Sequence, residues 1–239
     1  MRRLTLIRHG LTEWNVSGRF QGHSDVPLSA EGRGQAVLLA GYLATFPAID
    51  VVMSSPLARA AETARIAIPD RELLLDERLR ELDFGAFEGL TRDVIERDPR
   101  WDVWIHDPFM RAAPGGESYH QLRERMVDWL EETRLRFPDA HVAAVTHSGS
   151  IQTLLSALLG VERPRWRKRI YLRHTSVSHV LFRGEEAVVE RVNDTRHLVA
   201  DAYDDTPKHL WPLALRSIEA HLIKLEREGT ITKEGERWL

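Results

Sequence analysis

The sequence predicts an α/β fold: a three-layer α/β/α sandwich with a mostly parallel central sheet, followed by a helical C-terminal extension. Three observations carry this prediction. Apolar runs at 4–7, 49–53 and 142–145 are short enough for buried parallel strands, although each run by itself is equally compatible with buried helix. Stretches with apolar residues at helical spacing separate them. Two further runs, 177–182 and 187–192, flank Arg183-Gly184-Glu185-Glu186, the pattern of a hairpin with a Gly-containing loop. Strands alternating with helices and closing on a hairpin define the architecture.

Taken in order, Leu4-Thr5-Leu6-Ile7 runs directly into Arg8-His9-Gly10, and the glycine lets the backbone turn sharply after the strand. Asp25-Val26-Pro27-Leu28 reads as a turn. Ser29 is placed to cap a helix whose buried face holds Ala36, Leu39, Ala40 and Leu43. Phe46-Pro47 ends that helix. After the 49–53 run, Ser55 reads as an N-cap with Pro56 in the first helical position, which sets Arg59 in the opening turn. Leu73-Leu74-Leu75 is a short strand candidate. Residues 80–89 form a charged, aromatic loop punctuated by glycine, and Trp101, Trp104 and Phe109 sit in a segment bounded by Pro99, Pro108 and Pro114. Ser118 and Gln121 have capping-box spacing at the head of the longest helix, which ends at Phe137-Pro138. The 142–145 run leads into Thr146-His147-Ser148-Gly149, repeating the opening arrangement of strand, His and Gly. Residues 151–159 continue as an apolar helix. Past Ala200 the character changes: 201–207 is acidic and polar, and 210–228 is amphipathic, with Leu215, Ile218, Leu222 and Leu225 at helical spacing. The domain reading is therefore one main α/β domain over 1–200, the part that carries the strand-end motifs, and a helical extension over 201–239.

Composition removes several classes of function. A chain of 239 residues can bury a sizeable core. Its formal charge of −3 offers no general basic excess for nucleic acid. There are no cysteines, so disulfides, thiolate metal sites and cysteine nucleophiles are excluded. No run approaches the ~20 apolar residues of a membrane span. The basic start, Met1-Arg2-Arg3, precedes an apolar run too short for a signal peptide, so the expected location is cytoplasmic. The scattered His106, His120, His141, His174, His179 and His197 have no metal-ligand spacing, and no metal or cofactor is expected.

Three predicted strand ends bring Arg8, His9, Arg59 and His147 to one rim, the edge of an α/β sheet where chemistry collects. Two guanidinium groups beside two imidazoles suit a dianion, because arginine matches phosphate oxygens bidentately. Imidazole is a competent nucleophile at neutral pH. A leaving alkoxide also needs a proton, and Glu81, Asp83 and Glu88 all lie in the loop that follows the third strand candidate. Taken singly, each residue has a plainer role. A histidine at a strand end is ordinarily hydrogen-bonded structure, Arg59 alone reads as a helix surface charge, and Asn15 and Gln21 read as loop hydrogen-bonders.

The motifs together resemble the histidine phosphatase superfamily, the phosphoglycerate mutase-like proteins. Leu-Ile-Arg8-His9-Gly10 with Thr12 and Asn15 looks like the family signature. Gln21-Gly22, Asp25 to Ser29, Ser54 to Ala64, Arg80 to Gly85, Pro114 to Ser118, Thr146 to Gly149 and Asn193-Asp194-Thr195 resemble family blocks in family order. The resemblance implies that His9 attacks phosphorus to form phosphohistidine, and that Arg8, Arg59 and His147 hold the phosphoryl oxygens. It implies that Glu81 serves as acid and then base, with Asn15, Gln21 and Ser148 as further phosphate-binding residues and no metal required. It selects Glu81 over its two neighbours, which composition and spacing do not.

The family resemblance leaves phosphatase and mutase open. Mutases of this kind carry a longer insertion between the acid and the second histidine, whereas Glu81 and His147 are 66 positions apart. That separation, and the Glu-Leu-Asp-Phe-Gly loop, resemble the phosphatase branch. The expected function is a metal-independent phosphomonoester hydrolase acting on a small phosphorylated metabolite. The alternatives are a cofactor-dependent phosphoglycerate mutase and a non-catalytic phosphate-binding protein. Trp101, Trp104 and Phe109 read either as an apolar lid or as core. The basic run 163–173 reads as a solvated face or as a steering surface for anions. The extension reads as a packed cap, a homodimer contact or a partner-binding segment, and its Leu-x-x-Leu-Glu-x-x-Gly pattern resembles winged-helix segments.

Overall fold

The computed structural model describes residues 1–161 and 170–198, together with the backbone of two short strands at Lys233–Glu234 and Arg237–Trp238. The amphipathic helix read over 210–228, and residues 163–169 of the basic run, lie outside the described residues. The chain divides into two compact units, Met1–Thr195 and Arg196–Leu239.

In the first unit, β1 (Arg3–Arg8), α1 (Glu13–Val16), α2 (Ala30–Leu43), β2 (Val51–Ser54), α3 (Ala58–Ala67) and β3 (Leu73–Leu75) come first in the chain. They are followed by α4 (Arg92–Ile95), α5 (Pro99–His106), α6 (Tyr119–Arg136), β4 (His141–Thr146), α7 (Ser148–Leu158), β5 (Val177–Arg183) and β6 (Glu186–Asp194). The six strands form one sheet in the order β3-β2-β4-β1-β5-β6. The first four run parallel, while β5 and β6 are antiparallel additions. In the second unit the two short strands pair antiparallel, where the sequence offered only a polar end.

The three layers follow from period-2 alternation along buried strands. Leu4 and Leu6 of β1, with Val142 and Ala144 of β4, face a core built with Leu122, Met126 and Trp129 of α6 and Ile151 and Leu154 of α7. Ile7, Ala143 and Val145 face the opposite core, built with Leu39 and Leu43 of α2 and Ala60 and Ala64 of α3. Both faces of the central strands are therefore covered, which is why β1 and β4 read as continuous apolar runs. Ser29 caps α2 through Gly32 N, and Ser118 and Gln121 form the reciprocal capping box of α6, both at the expected residues.

One expectation changes, and one open alternative is decided. Helix α3 begins at Ala58 with Leu57 as its N-cap and no side-chain cap bond, so Ser55 and Pro56 belong to the turn before it. The Ser55 hydroxyl accepts from Leu57 N at 3.3 Å within that turn and also meets His147 Nε2 at 2.9 Å. Trp101 and Trp104 lie on α5, capped by Asp98 with Pro99 at its start. Both indoles are buried, packed against each other and against Phe87. That segment is core rather than lid.

Candidate active site

The parallel register of β1 and β4 sets the site. Arg8 lies opposite Thr146, so the next residues, His9 and His147, leave the sheet side by side. Their ring centroids are 5.1 Å apart, and both rings are buried. Close packing behind His9 requires glycine at two places. A Cβ on Gly10 would meet the Gly32 carbonyl oxygen at 2.5 Å, and one on Gly32 would meet the Leu11 oxygen at 2.1 Å. The first turn of α2 thus presses directly on the segment that follows the strand.

His9 Nδ1 lies 2.7 Å from the Gly10 carbonyl oxygen. A carbonyl only accepts, so Nδ1 carries the proton and Nε2 holds the free lone pair. Burial first, then the cations of Arg59 and Arg8, hold the His9 pKa well below its ordinary value. The ring is neutral at physiological pH. Burial first, then Arg59 and the neighbouring His9, with Arg125 and Arg8 adding less, hold the His147 pKa well below its ordinary value. Its Nε2 lies 2.9 Å from Ser55 Oγ.

Arg59 is completely buried, and its guanidinium donates to the carbonyls of Ser24 and Gly22, each at 2.8 Å. Burial lowers its pKa to about 10, which leaves it a cation at neutral pH. Arg8 donates to the Leu172 carbonyl at 2.5 Å. Three buried nitrogens of these residues, Arg8 Nε, Arg59 Nε and His147 Nδ1, have no hydrogen-bond partner among the described residues. Buried donors are ordinarily satisfied, so their concentration beside His9 marks where an anion would gain most.

The geometry also separates the three carboxylates. Glu88 is committed to loop structure: it accepts from the backbone of His23, Ser24 and Phe84 and from the Ser24 hydroxyl. Asp83 accepts from Gly85 N. Glu81 lines the same cavity as His9. Its oxygens accept from Leu82 N at 2.9 Å and from Gly149 N at 3.0 Å, the latter in the opening turn of α7. Arg125 of α6 clamps the loop that carries Glu81. It donates to the carbonyls of Arg78, Arg80 and Glu81 and pairs with Glu117 at 2.7 Å.

A cavity of about 280 Å³ opens over these groups, lined by Arg8, His9, Arg59 and Glu81, with Asn15 and Gln21 on its wall. The side-chain oxygens of Asn15 and Gln21 both lie within reach of the Thr12 hydroxyl, which leaves their amide N–H groups available as donors. Neither the fully buried His147 nor Ser148, which opens α7 beside it, is among the lining residues. His174, read from sequence only as a scattered polar residue, has its ring 6.0 Å from His9. Burial and Arg8 push its pKa down to about 3. Its position follows from topology. Strand β5 runs antiparallel to β1, so the residues just before β5 abut the carboxyl end of β1. Among the described residues no group of three or more His, Asp or Glu side chains is arranged to hold a metal ion. No helix among them is long and apolar enough to cross a membrane.

This fold and this cluster define a phosphoglycerate mutase-like class of phosphate-handling enzyme. The family model of the histidine phosphatase superfamily (branch 1) matches residues 4–195, and the chain belongs to that family. A second model, described as a Beta-lactamase associated winged helix domain, matches residues 195–238. The chain is 36% identical over 203 residues to phosphoserine phosphatase 1 of Hydrogenobacter thermophilus, covering 83% of this chain and 95% of the relative. It is 34% identical over 215 residues to a probable phosphoglycerate mutase of Escherichia coli, covering 86% and 99%. Among solved structures, a mutant phosphoserine phosphatase of Entamoeba histolytica in complex with phosphoserine aligns with a TM-score of 0.76 at 29% identity. That alignment covers 83% of this chain and all of the neighbour.

Proposed function

We propose that this chain hydrolyses a small phosphomonoester in two steps through a phosphohistidine at His9. The observation that carries the reading is the His9 ring, neutral, with Nδ1 held by Gly10 and Nε2 free beside two buried guanidinium groups. In the first step the Nε2 lone pair bonds to phosphorus and the ester P–O bond breaks. Its electron pair leaves on the substrate oxygen, and Glu81 in its acid form supplies the proton. In the second step Glu81, now a carboxylate, takes a proton from water while the water oxygen bonds to phosphorus. The P–N bond breaks, its electron pair returns to Nε2, and inorganic phosphate leaves.

Phosphoryl transfer of this kind depends on positioning and on offsetting charge at the equatorial oxygens. Arg8 and Arg59 supply that charge. With the Ser55 hydroxyl donating to His147 Nε2, the unpartnered Nδ1–H of His147 is a further donor. Asn15 and Gln21 add neutral amide donors at the wall, and Ser148 contributes from the start of α7. Relatives named as phosphoserine phosphatase support a small phosphorylated metabolite as substrate. The family match at 4–195 and the unit boundary after Thr195 support a catalytic domain over 1–200, with 201–239 as an appendage.

The test is turnover of p-nitrophenyl phosphate by the wild-type protein and by His9→Ala. Hydrolysis that disappears in the variant supports the reading, whereas equal, negligible turnover by both supports a phosphate-binding protein. The E. coli relative supports a second reading, a mutase, which would show phosphoglycerate interconversion dependent on a bisphosphate primer. Water is favoured as the acceptor because the cavity wall at Gly18 and Arg19 is solvent-exposed.

A further inference from the structure

The mechanism above uses two of the three guanidinium groups that line the cavity. The third belongs to Arg19, on the wall with Phe20 and Phe84. Its backbone is pinned. Arg19 N donates to the Trp14 carbonyl at 2.9 Å, Arg19 forms an isolated antiparallel bridge with Thr91, and the neighbouring Phe20 exchanges backbone bonds with Gly89 and Leu90. The head is pinned as well, because Nη1 donates to the Gly89 carbonyl at 2.6 Å. That single bond leaves most of the guanidinium's donors available. Among the described residues Arg19 forms no ion pair: Glu88 is spent on backbone amides, and Glu81 is turned to Gly149 and Leu82.

The wall beside Arg19 is apolar. Phe20 and Phe84 pack edge to face with centroids 4.9 Å apart, and Phe20 rests on Trp101. A substrate that places its phosphoryl group at His9 therefore shares the cavity with an aromatic surface and a pre-positioned, uncompensated cation. Arg8 and Arg59 already match a phosphoryl dianion, so a third fixed fork is suited to a second anionic group. Guanidinium matches a carboxylate bidentately, and fixing it beforehand reduces the ordering cost of binding.

We infer that Arg19 is a specificity-determining residue, and that the substrate is a small phosphomonoester bearing a carboxylate a few bonds from the ester oxygen, as in a phosphorylated hydroxy or amino acid. This rests on the proposed phosphomonoesterase reading and narrows it. The carboxylate lies along the Phe20 and Phe84 wall against the free edge of Arg19, while the chemistry proceeds at His9.

Two pairs of probes, each differing by one carboxylate, test it. Phosphoserine is compared with phosphoethanolamine, and 3-phosphoglycerate with glycerol 3-phosphate, by kcat/KM in the full-length wild type, Arg19→Gln and Arg19→Lys. The wild type is expected to prefer the carboxylated member of at least one pair by tenfold or more. Arg19→Gln should lower that preference at least tenfold, and Arg19→Lys should fall between, since it keeps the charge and loses the fork. A preference that is the same in wild type and Arg19→Gln overturns the inference. So does a wild type that hydrolyses p-nitrophenyl phosphate yet shows no preference in either pair. If Arg19→Gln does not fold, an unchanged preference in Arg19→Lys overturns it equally. A wild type inactive on every ester, p-nitrophenyl phosphate included, rejects the underlying reading and this inference with it.

Discussion

At the scale of single residues, the site is a problem of keeping an imidazole neutral beside permanent cations. Burial contributes most to depressing the His9 pKa, and Arg59 and Arg8 add to it. A nucleophile is lost when it is protonated, so activity falls as pH drops through the folded-state pKa. Because that value lies below 6.5, the acid limb of kcat/KM should lie below 6.5 too. Replacing Arg59 by Gln should have two effects at once. The rate should fall about 10²–10³-fold, the usual loss for one charge-stabilising donor, and the acid limb should move to higher pH because a cation that opposes imidazolium has gone. A rate loss with an unmoved limb would show that burial alone sets the ring's charge. Arg8, His9, Arg59 and His147 could be placed from sequence because each directly follows an apolar run or opens the helix after one. Ser55, Arg19 and His174 could not. Ser55 reads from sequence as the N-cap, a position that Leu57 occupies without a side-chain cap bond. Arg19 and His174 reach the site only through a long-range bridge and an antiparallel neighbour, and neither leaves a local periodicity.

At the scale of elements, helices α6 and α7 position Glu81, the proposed acid. Arg125 of α6 gathers three carbonyls of the loop from Arg78 to Glu81, and Gly149 of α7 donates its N–H to the Glu81 carboxylate. Gly149 cannot carry a side chain without disturbing this arrangement, since its Cβ would lie 2.3 Å from Glu81 Oε1. Gly149→Ala should therefore displace the carboxylate, which ends a flexible side chain, rather than the backbone. The expected result is a loss of kcat on alkyl phosphates of at least tenfold, with the thermal midpoint shifted by only a few degrees. p-Nitrophenyl phosphate, whose leaving group needs little protonation, should lose less. Equal losses on both ester types would argue against Glu81 as the proton donor. Capping boxes, strand runs and the hairpin were visible in sequence because each is a local pattern. Helix α5 was not seen, because its two tryptophans fit a buried helix and an apolar lid equally well until the packing partners are known.

At the scale of the molecule, the sheet carries a second buried histidine cluster remote from the cavity. His141 Nδ1 faces the Ala48 carbonyl at 3.1 Å, so its Nε2 accepts from the Thr5 hydroxyl at 2.8 Å, and Thr5 Oγ in turn accepts from His179 Nδ1 at 3.0 Å. The hydrogen-bond chain crosses β4, β1 and β5 and requires the His141 ring to be neutral, while burial disfavours charge on His179. Burial first, and Arg3 second, push the His179 pKa down to about 4, while Glu190 opposes them weakly. The unfolded chain regains the ordinary value near 6.5, so between those limits it binds more protons than the folded protein, and stability falls as pH is lowered. From pH 7 to pH 5, His179 alone should remove about 2 kcal/mol from the unfolding free energy. Denaturant titrations at the two pH values check this, and His179→Gln should flatten the difference by a similar amount. An identical pH dependence in the variant would refute the assignment. Strand alternation and the helices between strands made the layered sheet readable. The inward polar residues of β1, β4 and β5 were not read as a network, because three strands distant in sequence build it.

The central claim is that one ring of this protein is covalently phosphorylated during turnover, and mass spectrometry of the acid-sensitive adduct tests it most directly. Rapid quenching in base during hydrolysis of a phosphomonoester should trap one phosphoryl group per chain on His9, stable to alkali and released by acid, and absent from His9→Ala. Turnover with no acid-labile phosphate on His9 at any quench time, or the adduct on another residue, would contradict the account.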